Sequence, residues 1–185
     1  MKKAPPCPIE QGARRILELA GGVTAGTKET PARVAKAWSE MLSGYADDPE
    51  KILAKNFSGP SDEIVVLRGI EFFSTCEHHL LPFHGRISVA YLPGRRVVGI
   101  SKLARLVDCF ARRLQMQERL TRHIAESLMR CAGARGAAVI SEGVHLCMCA
   151  RGVRKTGATM VTSSLLGVFR RSSAARAEVL ALLRA

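Results

Sequence analysis

From Ser101 to about Cys131 the apolar residues recur at helical spacing, and strand-like sequence lies on both sides of that segment. The helical stretch breaks near Gln115 to Gln117: Met116 follows one periodic run, and Leu120, Ile124 and Leu128 begin another. Before it, Ile64, Val65, Val66, Leu67, Ile70, Phe72 and Phe73 form a β-rich run, and Arg86 to Leu92 alternates apolar with polar. After it, Ala137 to Met148 and Val153 to Thr162 read as two further strands. The order is β-β-α-α-β-β. Strands paired through hairpins, with helices on one face, predict an α+β fold. A four-stranded sheet of this kind has two edges that need pairing.

Residues 1–60 read as an N-terminal helical segment ahead of one domain spanning 61–185. Gln11 to Ala20 puts Ile16, Leu17 and Ala20 on one side, and Gly21-Gly22 stops the helix. Thr30 is placed to cap a second helix with Pro31 at its first position. Its buried face is Val34, Ala37, Trp38, Met41 and Leu42, and Gly44 ends it. Asp47 to Pro60 reads as a polar connector, and Ser173 to Leu183 as a short helix with Ala177, Leu180 and Leu183 inward.

Apolar residues make up 47% of the 185, enough for a packed core and too many for a disordered chain. No run approaches the roughly 18 apolar residues of a membrane span. The opening Met-Lys-Lys-Ala-Pro-Pro-Cys-Pro is basic but lacks the apolar stretch of a secretory signal. A soluble cytoplasmic protein is expected, its six cysteines reduced or bound to metal rather than paired. The formal charge of +12 points to an anionic partner: nucleic acid, an acidic membrane or a polyphosphate small molecule. Aromatics are only 5%, with no basic-aromatic alternation for stacking bases, which argues against a nucleic-acid binder carrying a structural zinc.

Four clusters carry chemistry. In Ser74-Thr75-Cys76-Glu77-His78-His79, a cysteine and a histidine three apart on a turn can reach one metal ion, and sulfur with imidazole suits zinc. Adjacent His78 and His79 do not comfortably share an ion, so one is spare. In His145-Leu146-Cys147-Met148-Cys149-Ala150-Arg151, residues two apart on a strand share a face, so His145 and Cys147 point the same way, and Cys149 could too. Three protein ligands leave a position for water, as in catalytic zinc sites; a fourth, Cys149, would close the site. Spacing leaves both arrangements open.

In Gly99-Ile100-Ser101-Lys102-Leu103-Ala104-Arg105, Ser101 suits a helix cap, and Lys102 and Arg105 share a face at a helix start that attracts phosphate. Arg33 and Arg151 are further candidates. In Gln117-Glu118, a carboxylate beside an amide could read a guanine edge. Glu118 alone is better read as an i,i+4 partner of Arg122 or a first-turn acid.

Together these clusters resemble the GTP cyclohydrolase I family. The resemblance rests on Cys-Glu-His-His-Leu-Leu-Pro-Phe, Val-Ala-Tyr-Leu-Pro, Gly-Ile-Ser-Lys-Leu-Ala-Arg, Gln-Met-Gln-Glu-Arg-Leu-Thr and His-Leu-Cys-Met, in that order. Thr30 to Lys36 and Arg176-Ala177-Glu178 fit the same pattern, so the likeness runs from about residue 9 to the end. His84 stands where many members carry a second aromatic, and Gly69 where an acid is common.

The resemblance implies a tunnelling fold, in which small sheets join into a barrel, and a homodecamer of two pentamers with active sites between subunits. It implies Zn2+ on Cys76, His79 and Cys147, with Cys149 a bystander. His78 becomes a proton shuttle and His145 the acid that protonates the purine. Gln117 and Glu118 would hold the guanine; Ser101, Lys102, Arg105 and Arg151 the triphosphate; Arg33 would reach it from a neighbouring subunit. The reaction implied is hydrolysis of GTP to 7,8-dihydroneopterin triphosphate and formate, the first step of pterin and tetrahydrofolate biosynthesis. A relative that stops after ring opening is the nearest alternative.

Overall fold

The structure, a computed structural model, describes residues 7–58 and 62–184. They fall into two compact units, divided between Ser43 and Gly44.

The first unit is a helix pair, α1 (Pro8–Leu19) and α2 (Thr30–Met41), packed on each other. α1 starts three residues earlier than the apolar spacing suggests, with Pro8 in the first turn, where its missing N–H costs nothing. Gly21 and Gly22 stop it with φ of 102° and 96°, a region open to glycine. The expected inward face of α1 is not realised: Ala13 is buried, whereas Ile16 is 68% exposed and Ala20 is exposed. A helix pair has too little surface to cover every apolar residue on either member. In α2 the cap position belongs to Glu29 rather than Thr30. Val34, Trp38, Met41 and Leu42 are half-buried and Ala37 is exposed.

The second unit begins inside a 3-10 turn (Ser43–Ala46) and continues with the short helix α3 (Pro49–Leu53), so the stretch expected to be a connector is structured. Asp48 caps α3 by accepting from Glu50 N–H at 2.9 Å, and Leu53 is fully buried. Gly44 lies beyond α2, within the 3-10 turn, where a Cβ would sit 2.4 Å from the Cys109 carbonyl oxygen. A small ladder joins β1 (Asn56–Ser58) to β4 (Arg96–Val98).

The main sheet has the order β5-β2-β3-β6-β7. Its strands are β2 (Val65–Cys76), β3 (Pro82–Leu92), β5 (Leu114–Gln115), β6 (Gly136–His145) and β7 (Met160–Gly167). All neighbours are antiparallel except the two-residue β5, which runs parallel to Thr75 and Cys76. The order of the principal elements is the β-β-α-α-β-β of the expected tunnelling fold. Gly69, at φ 68°, sits where the β2–β3 register shifts, the mark of a bulge.

Two boundaries differ from the sequence reading. The third strand ends at His145, and Leu146–Cys149 form one helical turn, α6. The last strand begins at Met160, not Val153, because Gly152 and Arg154 take φ of 64° and 51° and turn the chain before it can pair with β6. β7 has no strand on its outer side among the described residues.

The helical segment divides as expected into α4 (Ile100–Ala111) and α5 (Gln117–Cys131), which cover one face of the sheet. Leu103, Leu106, Leu120, Ile124 and Leu128 pack there against Ile87, Val89, Tyr91 and Val139, each fully buried. Burying such a side chain contributes about 2 kcal/mol. The other face is not left open: after the one-turn helix α7 (Val168–Arg171), the last helix, α8 (Ser173–Arg184), sets Val179 and Leu183 over Ala90 and Ala138. Ala177 is exposed and Leu180 half-buried, so the inward stripe is rotated from the one expected. Among the described residues, no helix is long and apolar enough to cross a membrane.

Gly85 occupies the tightest point of the sheet, where a Cβ would fall 1.9 Å from the Glu142 carbonyl oxygen on β6. Gly85→Ala is expected to lower unfolding free energy by about 3 kcal/mol or more. Gly157→Ala, with nothing within 4 Å of its Cβ, should stay within about 0.5 kcal/mol of wild type in the same urea titration.

Candidate active site

Antiparallel register brings three strand ends together. Phe83 pairs with Ser74 on one side and with His145 on the other, so the end of β2, the start of β3 and the end of β6 share one edge of the sheet. The loop between β2 and β3 is tight: Cys76 N–H donates to Leu81 O at 2.9 Å, and Leu80 N–H to Cys76 O at 2.8 Å. Leu80 closes it in the left-handed region, φ 54°, an unfavourable conformation for a side-chain-bearing residue that the two bonds hold in place. That turn folds His79 back on Cys76, with Nδ1 3.5 Å from Sγ.

Cys147, on the helical turn after β6, completes a group. The ligand atoms of Cys76, His79 and Cys147 all lie within 4.8 Å of one another. A tetrahedral ion with the Zn–S and Zn–N lengths of protein sites holds a sulfur and a nitrogen about 3.6 Å apart, close to the Cys76–His79 separation. Burial, and then the neighbouring Cys76 thiol, push the Cys147 thiol above its ordinary pKa. A bound cation would favour the Cys147 thiolate that these surroundings disfavour. These three residues could therefore hold a metal ion. Cys149 is outside the group, and its thiol faces the Lys155 carbonyl at 3.4 Å. The strand argument that put His145 and Cys147 on one face does not hold, since Cys147 is already helical.

His145 is held from two sides. Its ring stacks on Phe83, centroids 4.5 Å apart and planes 4° from parallel, and its Nε2 is 2.9 Å from Gln117 Oε1. The Gln117 amide is buried, and its nitrogen donates to the carbonyls of Ser141 and Met160 at 3.0 and 2.9 Å. Carbonyls only accept, so the amide cannot turn round; its oxygen accepts from His145, whose Nε2 carries the hydrogen. Gly143 makes the room, because a Cβ there would lie 2.5 Å from Gln117 Oε1. Burial pushes the His145 pKa below its ordinary value, with Glu118 acting weakly the other way. Sequence reasoning offered Gln117 as a guanine contact; the structure engages its amide with the backbone and His145.

Glu118 is exposed and makes no ion pair among the described residues; Arg122 pairs with Glu126 instead. It lines a cavity of about 430 Å³ together with Arg119, Arg122 and β7 residues Thr162 to Ser164. His78 is largely exposed, with Nε2 3.8 Å from Glu77 Oε1.

The basic cluster is elsewhere. Gly99, not Ser101, occupies the cap position of α4, which leaves Ser101, Lys102 and Arg105 in its first two turns. Partial burial, then Arg105 and Lys55, push the Lys102 pKa below its ordinary value. Lys55 is a cation of this cluster that no motif announced; only the packing of α3 on α4 brings it there. The twelve residues of α4 span about 18 Å, and the chain after α4 pairs with Thr75 and Cys76. Within the chain, then, the basic helix start and the Cys-His-Cys group lie toward opposite ends of the sheet. Arg151 follows α6, exposed, and Arg33 is exposed on α2 of the first unit.

Comparison with known proteins bears on this arrangement. The sequence pattern of the family described as GTP cyclohydrolase I matches residues 9–184. A GTP cyclohydrolase 1 of Wolinella succinogenes is 48% identical over 179 residues, covering 95% of this chain and 96% of the relative. That of Desulforamulus reducens is 47% identical over 178 residues, covering 95% of both. That of Mycobacteroides abscessus is 51% identical over 160 residues, covering 85% of this chain and 78% of the relative. With its Cys-His-Cys group, its supported histidine and a match along nearly its whole length, the chain belongs to the GTP cyclohydrolase I family.

Proposed function

We propose that the protein converts GTP and water to formate and 7,8-dihydroneopterin triphosphate, using zinc held by Cys76, His79 and Cys147. The observation that carries the reading is the convergence of those three ligand atoms beside His145, whose orientation is set by Gln117. Two soft sulfurs and an imidazole favour zinc, and three ligands leave a position open. When bound, such an ion supplies Lewis acidity and makes water a nucleophile at neutral pH.

The protein's own residues do the rest. His145 holds its Nε2 hydrogen toward Gln117, so Nδ1 is the atom that hands a proton to the purine imidazole and prepares C8 for attack. A depressed pKa makes the protonated ring a ready donor. After the ring opens and C8 departs as formate, the exposed His78 moves protons during the ribose rearrangement that precedes closure of the new ring. Glu118 accepts from the N–H groups of the guanine edge inside the cavity it lines. Ser101, Lys102, Arg105 and Arg151 bind the triphosphate, with Arg33 contributed by another subunit.

The separation of the α4 start from the Cys-His-Cys group supports a site completed by a second copy of the chain. So does β7, which has no strand on its outer side among the described residues and could continue a sheet into that copy. We assign a homodecamer of two pentamers working in the cytoplasm at the entry to pterin and tetrahydrofolate synthesis, and a division of labour between residues 1–60 and a catalytic domain of 61–185.

Three measurements test this reading. Zinc-loaded protein given GTP should release formate and a fluorescent pterin in equal amounts; formate alone would mean that the reaction stops at ring opening, and neither product would end the catalytic reading. Cys147→Ser should lose bound zinc and turnover together, whereas Cys149→Ser should keep both by metal analysis and assay. Gln117→Leu should lower kcat at least tenfold with a smaller change in KM, and cost about 1–3 kcal/mol of stability for each carbonyl left without its donor.

A further inference from the structure

Arg119 has no assigned role in the chemistry above, yet among the described residues its ion pair stands apart: Arg135–Asp62 also reaches 2.8 Å, but through one nitrogen and with Asp62 86% exposed. Arg119 Nη1 and Nη2 donate to Oε2 and Oε1 of Glu77 at 2.5 and 2.8 Å, with both side chains under one-third exposed. By contrast Arg86–Glu71, Arg122–Glu126 and Arg130–Glu50 are single contacts of 3.6 to 3.9 Å between side chains more than half exposed. Loose exposed pairs of that kind contribute little, whereas a two-pronged guanidinium–carboxylate fork fixes both distance and angle.

The position of the fork is informative. Glu77 lies in the loop between Cys76 and His79, and its backbone N–H also donates to Gln115 O at 3.1 Å. One loop residue is thus tied by main chain and side chain to the segment that enters α5. Arg119 is on that helix, two residues after Gln117, which orients His145, and next to Glu118, which lines the cavity. The same Glu77 Oε1 that receives Arg119 is 3.8 Å from His78 Nε2.

We propose that Arg119 and Glu77 are positioning residues that lock the Cys76–His79 loop to the first turn of α5. The lock sets the spacing between the metal ligands on one side and His145 with Glu118 on the other. Arg119 also lines the cavity beside Glu118, but its guanidinium is taken up by Glu77, and the lock acts through the ligand loop, as outer-shell partners do in other metal sites. This inference rests on the reading of Cys76, His79 and Cys147 as ligands.

Metal-free wild type, Arg119→Lys, Arg119→Met, Glu77→Gln and the double variant Arg119→Met/Glu77→Gln would be titrated with Co2+, followed by thiolate absorption, and with Zn2+ against a chromophoric chelator. Thermal melts and steady-state kinetics at saturating zinc would accompany them. Each single variant should bind metal about 10- to 100-fold more weakly, and the double variant no more weakly than the weaker single. Arg119→Lys keeps the charge but not the fork and should recover only part of the loss. At saturating zinc, kcat should fall with KM for GTP nearly unchanged. Wild-type affinity in the single variants, additive losses in the double, or a rise in KM alone would overturn the proposal. Wild type that takes up no metal would instead remove the ligand reading on which it stands.

Discussion

The site depends first on strand register. Because β3 pairs Phe83 with Ser74 of β2 and with His145 of β6, the Cys-Glu-His-His loop and the end of β6 must meet at one edge of the sheet. A slip of one residue would turn His145 to the opposite face, away from α5. Gly85 guards that register two residues further along β3, where the backbone of β6 comes too close for any side chain. Phe83, fully buried, adds the flat surface on which the His145 ring rests.

A second constraint comes from the first turn of α5. Three consecutive residues there face three ways: Gln117 inward to the sheet and His145, Glu118 outward to the cavity, Arg119 to the loop that carries Cys76 and His79. Helical geometry spreads neighbours by about 100°, which is why one short sequence can serve three partners. The buried amide of Gln117 costs nothing in unmet hydrogen bonds because Ser141, Met160 and His145 take up both of its ends. Thr121 continues the network by bonding Gln117 O and Thr162 Oγ1 at 2.7 Å each, which ties α5 to the edge strand.

How far these features can be read in advance varies with their range. Cys76, His79 and Cys147 stand out as residue types, and the break before α5 shows in the apolar spacing. The choice between Cys147 and Cys149 does not, because it turns on one helical turn following β6 rather than on a continuing strand. The start of β7 is hidden for a similar reason: Val153 has strand chemistry but follows a glycine in the left-handed region and remains 65% exposed. Ile16 and Ala177 show the weakness of periodicity alone, which gives a stripe but not the neighbour that covers it.

Local chemistry in the chain determined the type and order of the principal elements, the soft-ligand clusters and the basic helix start, since each depends on residues close together in sequence. Tertiary structure decided which of those clusters share a site. Folding joined Cys147 to Cys76 and His79 across some seventy residues, gave the Gln117 amide to His145, paired Arg119 with Glu77 and brought Lys55 to Lys102. It also set the α4 cations far along the sheet from the cysteines. Such contacts follow from strand register and helix packing, and no window along the sequence contains both partners.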